Sequence, residues 1–181
     1  GAVDVLNNGI LKGAGSIFGP TVTTGTAKLA PGNNTVGTLT FDNTTLTLGT
    51  GVEYQFEAGG TSDKVAFLGA SSALSISGAW TLKLSNLGVD PRGLTFILFV
   101  GASGAAPLNA GAVIQPTFDF TNTGWSGGVV QFVPGGNNIV LTGAIVHSAN
   151  FESSDDGWTL SPPPPGEGGE WSNLYDVNDL P

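Results

Sequence analysis

Apolar and polar side chains alternate with a period of two residues along much of this chain. Residues 52–58 (VEYQFEA) give the clearest case, and residues 38–41, 45–48, 74–77 and 80–84 repeat the pattern. Successive side chains of a β-strand point to opposite faces, so each run predicts a short strand with one buried and one solvated face. The run at residues 94–100 (LTFILFV) is also of strand length.

Turn-forming residues separate these runs. The segments PGNN at 31–34, GTG at 49–51 and PGGNN at 134–138 each lie between two alternating stretches. No segment longer than about ten residues has helical periodicity. The chain is therefore predicted to be all-β, either a parallel β-solenoid or an antiparallel sandwich or jelly roll, since alternation alone fits both.

Composition narrows the classes of partner and cofactor. Charged residues make up 10% of the chain, against roughly 25% in an average soluble domain, so Thr, Ser, Asn and Gly must supply the surface polarity. There is no Cys, which excludes disulfides and thiolate metal sites. The net charge is −9 and no basic cluster occurs, which argues against nucleic acid as a partner. No apolar run reaches about 18 residues, so no membrane insertion is predicted.

Three regions follow from these patterns. We expect an N-terminal strand or arm over residues 1–12, a β domain over 13–148 and an acidic, Pro-rich arm over 149–181. The last region carries seven acids and no base, and prolines 162–165 favour an extended polyproline conformation. It also carries large aromatic side chains that are costly to leave in water: Phe151, Trp158, Trp171 and Tyr175.

One stretch resembles a known family. Residues 29–41 (LAPGNNTVGTLTF) are followed by residues 46–57 (LTLGTGVEYQFE) and by GGTSD at 59–63. This order of motifs, over about residues 29–85, resembles the autotransporter-associated β-strand repeat of bacterial surface proteins. The resemblance implies an exported protein, often a parallel β-solenoid, and no catalytic residues. Residues 150–159 are similar to the opening of a carbohydrate-binding jelly-roll domain.

No arrangement of reactive side chains favours an enzyme. Glu53 and Glu57 lie four residues apart on one strand face, or roughly 13 Å, which exceeds the separation of paired glycosidase carboxylates. His147 is the only histidine and has no nucleophile motif around it. Asp63 and the pair Asp155-Asp156 offer oxygen ligands for calcium but lack EF-hand spacing. We predict no catalytic residue and no cofactor, with calcium at these acidic side chains as the open alternative.

The two ends of the chain carry the functional hypothesis. An unpaired strand edge invites another strand, so a terminal strand and a clamping tail would join copies of the chain into a homopolymer. The predicted function is an extracellular, cell-surface structural subunit of a filament, fibre or matrix. The alternative is an adhesin module that binds surface glycans through exposed aromatics such as Trp125. The residues predicted to act in self-assembly are Val3, Val5, Leu6, Phe151, Trp158, Trp171 and Tyr175.

Overall fold

A computed structural model gives the fold and describes residues 1–102, 108 and 113–146. Within this part the regular secondary structure is β-strand apart from one short 3-10 turn at Pro134–Gly136. The strands are β1 (Val3–Val5), β2 (Ile10–Gly13), β3 (Gly15–Ile17), β4 (Thr21–Thr23), β5 (Lys28–Pro31), β6 (Thr38–Asp42), β7 (Thr45–Leu48), β8 (Glu53–Ala58), β9 (Lys64–Leu68), β10 (Ala73–Ile76), β11 (Thr81–Asn86), β12 (Thr95–Gly101), β13 (Thr117–Asp119), β14 (Trp125–Val133) and β15 (Asn138–Val146). The predicted Pro-rich arm, residues 149–181, lies outside the described residues.

Consecutive strands enter three different sheets, and every third strand returns to the same sheet. Sheet A has the order β1-β4-β7-β10, sheet B the order β2-β5-β8-β11-β13, and sheet C the order β3-β6-β9-β12-β15-β14. All pairings among β1 to β13 are parallel. Coils 1 to 4, each of three strands, therefore stack as a parallel β-solenoid. The prediction of an all-β, solenoid-like fold is confirmed.

The alternating pattern packs one face of every sheet into a single core. In coil 3 the inward side chains from all three sheets are buried, among them Leu48, Tyr54 and Phe67 with no exposed surface. The parallel register places similar side chains of neighbouring coils beside one another. Phe41 of β6 lies beside Phe67 of β9, with ring centroids 5.6 Å apart. Burying each such side chain stabilises the fold by about 1.5–3 kcal/mol, which makes core stacking the main source of stability.

The outward faces of the sheets carry the polar residues of the pattern. One row of sheet B runs through Ile10, Lys28, Glu53, Thr81 and Thr117, one residue from each successive strand. The interval along the chain between neighbours in this row grows from the first coil to the last. Lys28 and Glu53 form an ion pair across two strands at 3.2 Å. Such exposed pairs contribute little to stability and mainly keep this face soluble.

The corners between sheets bring backbones close together. Gly51 has φ of +86°, a conformation that side chains with a Cβ rarely adopt. A Cβ on Gly51 would also lie only 2.7 Å from the carbonyl oxygen of Gly25 in the coil below. The GTG turn seen in the sequence is therefore required by both the backbone conformation and the close stacking of coils.

An antiparallel hairpin and an aromatic cluster close the C-terminal end of the core. Strands β14 and β15 pair antiparallel, and β15 pairs antiparallel with β12. Trp125 is buried, with ring centroids 5.3 Å from Phe96 and 6.4 Å from Phe120. The expectation that Trp125 is an exposed stacking platform for sugars is therefore wrong: its ring seals the end of the core.

The buried and exposed faces of β9 predict different costs of truncation. Phe67→Ala should lower the free energy of unfolding by about 3–5 kcal/mol, because it leaves a cavity between coils. Leu68→Ala, one residue along on the exposed face, should change it by less than about 0.5 kcal/mol. Urea unfolding followed by Trp fluorescence measures both. Equal losses for the two variants would contradict the inward assignment of Phe67.

Candidate assembly interface

The first coil ends the solenoid with three open strand edges. Strands β1, β2 and β3 pair with β4, β5 and β6 on one side only, and each is the last strand of its sheet. In the part of the chain that the structure describes, no strand covers their other edges. Some N–H and C=O groups of this coil therefore point away from the solenoid, free to pair with an added strand. We call this surface the N-terminal end, residues 1–18.

Large apolar side chains are exposed on the N-terminal end. Leu6, Ile10 and Phe18 keep 56%, 51% and 73% of their surface accessible. Val3 keeps 37%, although it shares the inward face of β1 with Val5, which is buried. Exposed apolar groups grouped around open strand edges are typical of a surface that another protein covers.

The hydrophobic core is incompletely closed at this end. Leu11 and Ile17 pack against the core but remain half-buried. Their neighbours one coil further in, Leu29 and Phe41, are fully buried. The difference arises because an inward side chain of coil 1 has a neighbouring coil on only one side. A coil added on the other side would bury these side chains as well.

Three of the predicted assembly residues lie in this end. Val3 and Val5 belong to β1, opposite Thr21 and Thr23 of β4, and Leu6 follows directly in the turn. The predicted arm over residues 1–12 thus contributes strands to coil 1 of the same solenoid, and the boundary proposed at residue 13 falls at the end of β2. The other predicted assembly residues lie outside the described part: Phe151, Trp158, Trp171 and Tyr175.

Two charged side chains mark the outward faces of these edge strands. Asp4 lies at the centre of β1 and Lys12 near the end of β2, and both are exposed. Neither forms an ion pair within the described residues. The N-terminal end thus carries one acidic and one basic side chain beside exposed apolar side chains. A partner surface that fits it would place a positive charge near Asp4 and a negative charge near Lys12.

The two glutamates on one face of β8 differ in their contacts and burial. Glu53 accepts a hydrogen bond from Gln55 at 2.7 Å and pairs with Lys28. Burial raises the pKa of Glu57, whose Oε2 has no hydrogen-bond partner among the described residues. His147 and the pair Asp155-Asp156 lie outside those residues. In the described chain no group of three or more His, Cys, Asp or Glu side chains could hold a metal ion.

Asp63 ties two coils together through backbone hydrogen bonds. The Gly37 N–H donates to its Oδ1 at 2.7 Å, and the Glu57 N–H donates to its Oδ2 at 2.9 Å. Gly37 precedes β6 of coil 2 and Glu57 belongs to β8 of coil 3, so one buried carboxyl joins neighbouring coils. Burial raises the pKa of Asp63 to about 6, against the opposing effect of these two donors. Both carboxyl oxygens of Asp63 accept a hydrogen bond from the backbone.

Comparison with family models, curated proteins and solved structures finds no match to this chain. The resemblance to autotransporter-associated repeats therefore stays a prediction from the sequence. Within the described part, no helix is long and apolar enough to span a bilayer.

The raised pKa of Asp63 predicts an unusual pH dependence of stability. A carboxyl whose pKa rises on folding favours the folded state below its unfolded value of about 4, and this contribution is lost as the pH rises through about 6. Asp63→Asn should therefore flatten the change in unfolding free energy between about pH 4 and about pH 6. Urea titrations across this range measure the effect.

Asp119 provides a matched control with the opposite sign. Hydrogen bonds from Thr121 hold the pKa of this partly exposed carboxyl below its ordinary value. Its contribution is present above the unfolded pKa and is lost as the pH falls, so Asp119→Asn should not flatten the profile in the same direction. Identical pH profiles for Asp63→Asn and the unaltered chain would contradict the assignment to Asp63.

Proposed function

We propose that this chain is a structural subunit of an extracellular filament, fibre or matrix, joined to copies of itself through strand edges and a terminal arm. The observation that carries the proposal is the N-terminal end, where three strand edges and four exposed apolar side chains occupy one surface. A solenoid normally needs a cap at such an end, because open edges recruit other strands. Here the recruited strands would be those of a neighbouring subunit.

The two ends of the chain would play different parts. The N-terminal end supplies an edge-strand contact, and residues 149–181 supply a second contact through their aromatic side chains. A single isologous contact closes into a dimer, so a subunit with such a contact needs a second, separate contact to form an open polymer. The surface location is supported by the sequence alone: few charges, many hydroxyl side chains and the resemblance to surface-protein repeats.

An adhesin that binds surface glycans is the rival function. It requires exposed aromatic rings on which sugars stack. Trp125 is buried, and Trp158 and Trp171 lie outside the described residues. No observation on the described surface favours this rival over assembly.

Electron microscopy of the purified full chain separates the two functions. Filaments or sheets that disappear on deletion of residues 1–8, which removes β1, are expected for the structural subunit. Discrete particles together with sugar-dependent Trp fluorescence would support the adhesin and contradict the proposal.

A pair of valine substitutions tests the strand edge without truncation. Val3 and Val22 are both 37% exposed, but Val3 lies in the edge strand β1 and Val22 on the outward face of the internal strand β4. Val3→Lys should suppress assembly measured by light scattering, because it places a charge where strands would meet. Val22→Lys should leave assembly nearly unchanged. Equal effects of the two substitutions would argue that the N-terminal end is not the contact.

A further inference from the structure

We propose that two copies of this chain join through their N-terminal ends about a twofold axis, with β1 of each copy pairing antiparallel with β2 of the other. This inference rests on the proposed function and specifies the partner, the orientation and the register of one of its contacts. It follows from the shape of the two ends of the solenoid, from the two charges on the edge strands, and from the order of apolar residues around them.

The shape of the ends selects a contact between like ends. All three sheets begin in coil 1, so the N-terminal end presents its three edges within one turn of the solenoid. At the other end, within the described residues, sheet A has four strands, sheet B five and sheet C six. That end is stepped by about 4.8 Å per strand. The N-terminal end therefore cannot continue all three sheets of the stepped end at once, whereas it can continue all three sheets of a second N-terminal end.

The charges select one of three possible twofold axes. An axis through sheet A sets β1 against β1, and Asp4 then faces its own copy. An axis through sheet B sets β2 against β2, and Lys12 faces its own copy. An axis through sheet C sets β1 against β2 of the second copy, twice, so that each Asp4 can face a Lys12. Like charges directly opposite one another destabilise a strand pair, and opposite charges stabilise it.

The register that joins these charges also matches the faces of the strands. Val5 and Leu11 both point to the core side, while Asp4 and Lys12 both point outward. An antiparallel pairing with Asp4 opposite Lys12 keeps each of these faces continuous, as a packed sheet requires. It creates three further opposite pairs: Val3 with Gly13, Val5 with Leu11, and Leu6 with Ile10.

The pair Leu6 and Ile10 gives the contact its apolar content. Both side chains are more than half exposed in the single chain, and the twofold dimer would contain this pair twice. The half-buried Leu11 and Ile17 would receive the neighbouring coil that the inward side chains of coils 2 and 3 already have. Strand β3 would meet its own copy on the axis, with the uncharged Ser16 at its centre.

Charge reversal at Asp4 and Lys12 tests whether these residues face one another across the contact between two copies. Asp4→Lys alone and Lys12→Asp alone should each weaken self-association roughly tenfold in sedimentation experiments, because each sets like charges opposite one another at both positions. Mixing the two variants should restore association as a heterodimer, since every facing pair is then of opposite sign. The double variant Asp4→Lys/Lys12→Asp should also associate like the unaltered chain.

Cysteine cross-linking tests the axis itself. The chain has no Cys, so a single introduced thiol reports one contact. Ser16→Cys should form a disulfide-linked dimer under mild oxidation, because opposite residues of antiparallel strands lie within disulfide range. Thr40→Cys is the matched control: Thr40 pairs with Ser16 one strand further from the axis, where two copies would lie about 14 Å apart. It should form no disulfide-linked dimer under the same oxidation.

The outcomes separate this inference from the proposed function. Assembly that persists with unchanged affinity in both charge variants, or cross-links that form equally at Ser16→Cys and Thr40→Cys, would overturn the twofold register and leave self-assembly standing. A full chain that stays monomeric at millimolar concentration, with no filaments or sheets in electron micrographs, would overturn both. Restoration in the mixture with a cross-link at Ser16→Cys alone supports the dimer.

Discussion

The stacking of one coil on the next is the interaction on which this structure depends. Each strand obtains its backbone hydrogen bonds from neighbouring coils, and each inward side chain is covered by the equivalent side chains above and below. Parallel sheets need burial of this kind, because their strands are stable only with the inward face packed. The same dependence makes the ends of the solenoid different from its middle, since a terminal coil has only half of the neighbours.

The two ends of the described solenoid differ in how the core is covered. At the C-terminal end of the described solenoid the hairpin β14–β15 and the rings of Phe96, Phe120 and Trp125 cover the core. At the N-terminal end no element of the described chain plays that part, and Val3, Leu6 and Ile10 stay exposed. This difference between the two ends is the reason for placing the candidate interface at the first coil.

Sequence reasoning predicted the strands better than their arrangement. The alternation at residues 52–58 and 45–48 corresponds to β8 and β7, because burial of one face leaves a local pattern. Which strands are neighbours is not a local property: Glu53 lies beside Thr81 only because the intervening chain completes one coil. Likewise, the burial of Trp125 depends on Phe96, a residue far away in sequence, and no nearby pattern indicates it. The exposure of Leu6 and Ile10 also follows only once coil 1 is known to be terminal.

The unequal spacing within the row from Ile10 to Thr117 has a consequence for how the chain finds its register. In an array of identical repeats, a coil can slip by one unit and still find matching partners. Here each circuit has its own length and its own corner, such as the carboxyl tie of Asp63 between Gly37 and Glu57. A slipped coil would lose those corner contacts, so the chain has one alignment of its turns. Coils could not be duplicated, deleted or exchanged between copies without redesigning the corners.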